Sequence, residues 1–169
     1  MTTHAAFKPK VSEQRVEAGI EDRDTSKLAK YLSNALADSY ILYLQTQGTH
    51  WNVVGPSFYG VHKLTETQYE DLAAAIDAIA ERIRALGHIA PSSFSEFTEL
   101  SSLDSQPTTE SAADLIGRLV ESNEIVADRM RKSVAAADEV NDVFTADLLT
   151  ARIGAHEEAA WMLRSLLTA

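Results

Sequence analysis

The chain has 169 residues, 45% of them hydrophobic, which suffices for one domain with a filled core. It contains no cysteine, so disulfides and thiolate metal sites are excluded, and no apolar run approaches the roughly 20 residues of a membrane span, which leaves a cytoplasmic protein as the expectation. A net charge of −10 argues against a general nucleic-acid-binding surface and suits a protein that gathers cations.

Residues 1–24 have no sustained periodicity and alternate in charge, which predicts a flexible N-terminal arm ahead of a folded domain over 25–169. In this arm Lys8, Lys10, Arg15 and Arg23 are set against Glu13, Glu17, Glu21, Asp22 and Asp24. Phosphate binding scales with the cations supplied, so DNA binding is expected to be weak unless many copies act together. His4 is read as a solvated tail residue.

A first helix is expected from Ser26, after the cap candidates Asp24 and Thr25, to about Asn52, with Leu28, Leu32, Ala35, Ser39, Leu42 and Thr46 facing inward. Gly55-Pro56 breaks it. A second helix then runs to Leu86, with Gly87 as its stop. Its core stripe is Val61, Leu64, Leu72, Ile76, Ile79, Ile83 and Leu86. Arg82 and Arg84 favour its C-terminal dipole as solvated charges, and His88 is a surface or capping residue.

Away from that stripe lie His62, Glu66, Asp77 and Glu81, on a face shared with Ala73 and Ala80. Each of the pairs His62/Glu66 and Asp77/Glu81 is spaced i, i+4, so each presents two ligands one above the other. Glu66 and Asp77 are eleven residues apart, roughly 16 Å along a helix, so one ion cannot touch both pairs of one chain. A second copy packed antiparallel about a two-fold near Asp71 and Leu72 brings the first pair of one chain opposite the second pair of the other, giving two equivalent sites. His50, at the end of the first helix, can fold back to the His62 end. Two imidazoles with up to three carboxylates suit Fe(II), Mn(II) or Zn(II). Iron fits best, because a carboxylate-rich shell stabilises the ferric state. The ligating imidazoles must be neutral, so activity should fall on acidification. Trp51, beside His50, is either an electron relay or an interface packing residue. Singly, each of these residues reads as ordinary solvated helix face; the joint pattern is what marks a site.

Ile89 to Pro107 is a long, Ser-rich connection in which Phe94, Phe97 and Leu100 are spaced for a short helix. The third long helix starts after Pro107 with a Ser111-x-x-Asp114 capping signal, its core face at Leu115, Leu119, Ser122, Val126, Met130 and Val134. The fourth runs from about Asp142 to Leu167, with Leu149, Ile153, Ala160, Leu163 and Leu167 inward and His156 and Trp161 in packing or hydrogen-bonding roles. Four long helices with one long crossover make an all-α, ferritin-like four-helix bundle with a short extra helix in the crossover between its second and third long helices. A di-iron centre inside one such bundle needs Glu-x-x-His on two helices. The residues three before the five histidines are Met1, Gln47, Tyr59, Ala85 and Ile153, so that arrangement is excluded on ligand supply.

The segments Thr49-His50-Trp51-Asn52, Gly55-Pro56-x-Phe58, Val61-His62-x-x-x-Glu66 and Ile76-Asp77-x-x-Ala80-Glu81-Arg82 resemble the Dps family, the DNA-binding proteins from starved cells or miniferritins, over about Ser26 to Ala169. The resemblance implies a hollow homododecamer with two-fold and threefold interfaces and the short crossover helix at the dimer interface. It implies an inter-subunit ferroxidase centre in which His50, His62 and the acidic residue four after it come from one subunit, while Asp77 and Glu81 come from its two-fold neighbour. Many relatives carry Asp where this chain has Glu66, whose longer carboxylate still reaches a metal. The resemblance further implies a threefold iron-entry pore lined by acidic residues of the Asp138, Asp142 and Asp147 region. Fe(II) would be oxidised by hydrogen peroxide, or more slowly by dioxygen, and stored as ferric oxide, protecting DNA from oxidative damage. Two alternatives stand beside this: a nucleoid-associated, DNA-compacting protein with secondary iron chemistry, and a non-redox metal-binding shell for an ion such as zinc.

Overall fold

Helix boundaries follow the capping chemistry of the chain. The computed structural model describes residues 11–105 and 111–168, in which α1 spans Asp22–Asn52, α2 Phe58–Ala85, α3 Phe94–Leu100, α4 Ala112–Glu139 and α5 Val143–Ser165. Among the described residues there is no strand, and no helix is long and apolar enough to cross a membrane. The α4 start is the expected capping box: Ser111 accepts from the Asp114 backbone N–H, and the Asp114 carboxylate accepts from that of Ser111. Ser93 caps α3 and Asp142 caps α5 in the same manner, through the N–H groups of Glu96 and Thr145. The turn after Asn52 passes through Gly55 at φ +103, a backbone conformation that an L side chain would resist, and Pro56 then prevents the two helices from merging.

The helices pack as two antiparallel hairpins, α1 with α2 and α4 with α5, joined across α1·α4 and α2·α5, with α3 laid against α1. Leu28, Leu32, Leu42, Val61, Ile79, Ile83, Leu119, Met130, Leu149 and Leu163 are buried in a single core, as their helical spacing requires. Two buried hydroxyls of α1 are satisfied within the helix itself: Ser39 donates to the Ala35 carbonyl and Thr46 to that of Leu42. α3 is pinned by Asp38, a fully buried carboxylate that accepts from the Ser102 amide at 2.7 Å and from Arg129 of α4 at 3.0 Å. Phe97 stacks on Tyr40 at 4.2 Å between ring centroids.

Several expectations need correction. α1 begins at Asp22, four residues before Ser26, because Asp22 and Asp24 in its first turn complement the helix dipole without a side-chain cap. Leu64, Val134 and Ile153 lie at the edge of the core, and Leu167 is exposed because α5 ends at Ser165. Phe94 is likewise exposed. Nor is the whole of 1–24 an arm held away from the domain. The Gln14 amide donates to the Gly87 carbonyl at 2.8 Å, Glu13 pairs with His88 at 3.2 Å, and Ala18 and Ile20 pack against the core. Gly87 sits at φ +91, and a Cβ there would lie 2.2 Å from the Gln14 carbonyl oxygen. His4, Lys8, Lys10 and Pro107 lie outside the described residues.

Candidate metal centre

The tight turn from Val53 to Ser57 folds the end of α1 back over the start of α2, and this brings His50 and His62 together. Their rings stack at 3.8 Å between centroids, 17° from parallel. Each ring is held by the other's backbone: His50 Nδ1 lies 2.8 Å from the His62 carbonyl oxygen, and His62 Nδ1 lies 3.0 Å from that of His50. A carbonyl oxygen only accepts, so Nδ1 is the donor in both rings. In the neutral imidazoles the lone pairs are therefore on Nε2, the arrangement that prepares a histidine to ligate.

Aromatic neighbours fix the pair further. Phe58 stacks on His62 at 5.1 Å, and Tyr69 meets His50 edge-on at 5.2 Å. Burial, and then the carboxylates of Glu66 and Glu70, push the Tyr69 hydroxyl above its usual range. His50 is buried and His62 half-buried, so the site is walled by protein on the α1 side and open on the other.

Glu66 follows His62 by one turn, and its Oε2 accepts from Lys63 Nζ at 2.6 Å. That hydrogen bond and charge, with smaller contributions from His50 and His62, hold the Glu66 carboxyl below its usual range, so it is anionic near neutrality. Asp77 and Glu81 are exposed on the same helix, about 16 Å further along its axis by helical rise. Among the described residues, no group of three or more His, Asp or Glu side chains within one chain can hold an ion. The single chain thus assembles His50 and His62 with Glu66 close by, and presents Asp77 and Glu81 outward and apart. Trp51 is 61% exposed beside this site and lines a groove with Leu44 and Leu115.

At the turn from α4 to α5, Asp138 and Asp147 are exposed. Asp142 is instead buried, and both its oxygens accept from Arg82 Nη2, at 2.7 and 2.8 Å. It also caps α5 through the Thr145 amide and accepts from the Thr145 hydroxyl. Burial alone would raise the Asp142 carboxyl; the donors from Arg82 and Thr145 outweigh it and hold the group below the usual range. Arg82, expected as a solvated charge, is three-quarters or more enclosed and also lies over the Phe144 ring at 5.1 Å. Its neighbour in sequence is Glu81, so this pair anchors the outward-facing Asp77/Glu81 segment of α2 to α5. No sequence signal links two residues sixty positions apart. His156 takes the hydrogen-bonding role expected of it, with Nδ1 2.9 Å from Asn123 Oδ1.

A model of the ferritin-like domain matches residues 29–169. The chain is 40% identical over 155 residues to an uncharacterised low temperature-induced protein of Nostoc sp. strain PCC 7120, covering 90% of this chain and 87% of the relative. It is 31% identical over 150 residues to a DNA protection during starvation protein of Porphyromonas gingivalis, covering 89% and 94%. Among solved structures, the Vibrio cholerae O1 Dps protein, described as a member of a broad superfamily of ferritin-like diiron-carboxylate proteins, superposes with a TM-score of 0.86 at 29% identity, covering 94% of this chain and all of that one. The Mycobacterium smegmatis Dps gives 0.86 at 28% identity, covering 92% and 96%.

Proposed function

The chain belongs to the Dps family of ferritin-like proteins, and from that premise we propose that it is a ferroxidase that oxidises Fe(II) at centres shared between two-fold related subunits and stores the ferric product inside a hollow dodecamer. The observation that supports this reading is the reciprocal His50–His62 arrangement, which puts the proton on Nδ1 of both stacked rings and leaves a lone pair on each Nε2, with an ionised Glu66 one helical turn after His62. On one chain this is half a coordination shell. The exposed Asp77 and Glu81 of a neighbour, brought antiparallel across α2, complete it with oxygen donors.

The chemistry is a two-electron reduction of peroxide. Two Fe(II) ions each give one electron, the O–O bond of hydrogen peroxide breaks, two protons are taken up, and two Fe(III) and two water molecules result. Pairing the electrons this way avoids releasing hydroxyl radical, which accounts for DNA protection without tight DNA binding. Dioxygen serves as the slower oxidant. His50 and His62 hold the ferrous ion through neutral nitrogens, while the carboxylates stabilise the higher charge that oxidation creates. Exposed Asp138 and Asp147, repeated around a threefold axis, supply a negative entry path for Fe(II); Asp142 serves that path by anchoring the start of α5. Iron as substrate, a dodecameric shell and a cytoplasmic setting belong together in this reading. Its test is the rate of peroxide-dependent Fe(II) oxidation by the wild type against His62→Ala. A drop of about a hundredfold or more is expected from loss of a ligand, and an unchanged rate would remove the assignment.

A further inference from the structure

Both ring nitrogens of His88 face oxygen. Nδ1 lies 3.2 Å from Glu13 Oε1, and Nε2 lies 3.2 Å from Thr25 Oγ1. An ionised carboxylate only accepts. Thr25 gives its own hydroxyl proton to the Asp22 carbonyl at 2.9 Å, so its oxygen also meets the ring as an acceptor. Two acceptors on one imidazole ask for two N–H donors, and the protonated ring supplies both. A neutral ring has one N–H, and it keeps both contacts only if the Thr25 hydroxyl turns away from Asp22.

The ring stands where three parts of the chain meet. Glu13 comes from the segment ahead of α1, Thr25 from the start of α1, and His88 follows the Gly87 stop of α2. That segment is held at two further points on its main chain: the Gln14 amide donates to the Gly87 carbonyl at 2.8 Å, and Arg84 Nη2 donates to the Ser12 carbonyl at 3.4 Å. Neither bond changes with the protonation of His88, whereas the Glu13 contact does. The His88 side chain is 19% exposed and that of Glu13 69%, so water reaches the pair and the ring exchanges its proton with solvent.

The charges around the ring act in both directions. Glu13 attracts the imidazolium, and the first turn of α1 adds Asp22 and Asp24, the latter engaged by Arg23 at 3.7 Å. Arg84 repels it from the α2 side, where Nη1 donates to the His88 carbonyl at 2.8 Å. Glu81, the candidate metal ligand nearest in sequence, is seven residues back, about two helical turns away. We propose that His88 is a pH-sensitive latch for the segment ahead of α1. Protonated, it bridges Glu13 to Thr25 and holds residues 12–14 against the end of α2; deprotonated, it gives up one of the two bonds and the charge attraction to Glu13. Docking is therefore strongest on the acid side and weakens as pH rises through the range in which histidine loses its proton. Docked, the chain leaves the surface of the domain at Ser12; released, it leaves at the start of α1. The latch does not rest on the iron chemistry proposed above.

The test is hydrogen–deuterium exchange of the Gln14 amide, read by mass spectrometry on the full-length, iron-free assembled protein at about pH 5.5 and about pH 8. Each rate is divided by the intrinsic exchange rate at that pH and compared with a reference peptide from α4. Protection of Gln14 should fall about fivefold from the lower to the higher pH while the reference holds, since an exposed charged pair is worth up to about that factor. In His88→Gln, which keeps a polar side chain without a titration in this range, protection should be equal at both pH values and close to that of the wild type at the higher one. Glu13→Gln should lose most of the difference. Equal protection at both pH values in the wild type, or a fall that persists in His88→Gln, would overturn the latch. The α4 reference, measured in each variant, separates a local release from a folding defect.

Discussion

His50 and His62 hold one another by the main chain: the Nδ1 of each ring donates to the carbonyl of the other residue, at 2.8 and 3.0 Å. The consequence is a matched pair of tautomers. Neither ring must turn or exchange its proton between nitrogens to present Nε2, so the nitrogen half of the proposed centre is organised before any ion arrives. The carboxylate half is not, because Glu66 is engaged by Lys63.

That engagement has a measurable effect. Lys63 competes for the Glu66 carboxylate, so Lys63→Met should tighten anaerobic Fe(II) binding. The pair is largely solvent-exposed, and ion pairs of that kind are weak, so the gain should be about fivefold or less. It should shrink at high salt, where the competition is screened. Calorimetric titration of wild type and variant at two ionic strengths reads this directly, and weaker binding in Lys63→Met would show that the lysine helps to hold the ion.

The Arg82–Asp142 pair makes a prediction for stability and its pH dependence. Asp142→Ala leaves Arg82 enclosed without its partner and removes the α5 cap, at a cost of about 3–5 kcal/mol, and thermal unfolding should fall by roughly 6 °C or more. Asp142 has a folded pKa depressed below its unfolded value of about 3.9. Its contribution is therefore fully present above about pH 4 and is lost as pH falls through the folded value. Denaturant melts of wild type and Asp142→Asn should converge as pH drops below about 4. A stability gap that stays constant down to acid-induced unfolding would deny the depressed carboxyl.

Gly87 makes a third. Alanine there combines a left-handed conformation, costing about 1–2 kcal/mol, with a methyl aimed at the Gln14 carbonyl. The segment from Val11 to Glu21 should lift off, while iron oxidation is unaffected because the segment touches the α2 C-terminus and His88, at the far end of α2 from His50 and His62. Tryptic cleavage after Arg15, followed by mass spectrometry, should rise about tenfold or more; an unchanged rate would mean that the Gln14–Gly87 contact does not hold the segment.

Much of this architecture was legible in residue pattern. Leucine and isoleucine at helical spacing marked the inward faces of all four long helices, Ser111 and Asp114 marked the α4 start, and Phe97 marked α3. The i, i+4 spacing of His62 with Glu66 and of Asp77 with Glu81 put ligand types on one face of α2, and the short Gly55-Pro56 turn made His50 a neighbour of His62. What escaped depends on backbone placement. The reciprocal carbonyl contacts require the particular path of the turn after Asn52. Arg82 and Asp142 lie on different helices with no local signal between them, so Arg82 read as a solvated helix-end charge and Asp142 as a candidate pore carboxylate. The docking of this segment rests on the Gln14–Gly87 main-chain hydrogen bond, the Glu13–His88 pair and the contacts of Ala18 and Ile20 with the core, too few apolar positions to leave a periodic trace.

The central claim is that two subunits complete one another's centre, and mixed assemblies test it most directly. His62→Ala and Asp77→Ala are each expected to be inactive alone. Co-expressed and assembled at random in equal amounts, half of the two-fold interfaces pair unlike chains, and each of these has one centre with both defects and one with none. Peroxide-dependent Fe(II) oxidation should therefore return to about a quarter of the wild-type rate per subunit. Mixed assemblies, verified by mass, that recover no activity would contradict a centre built across the interface.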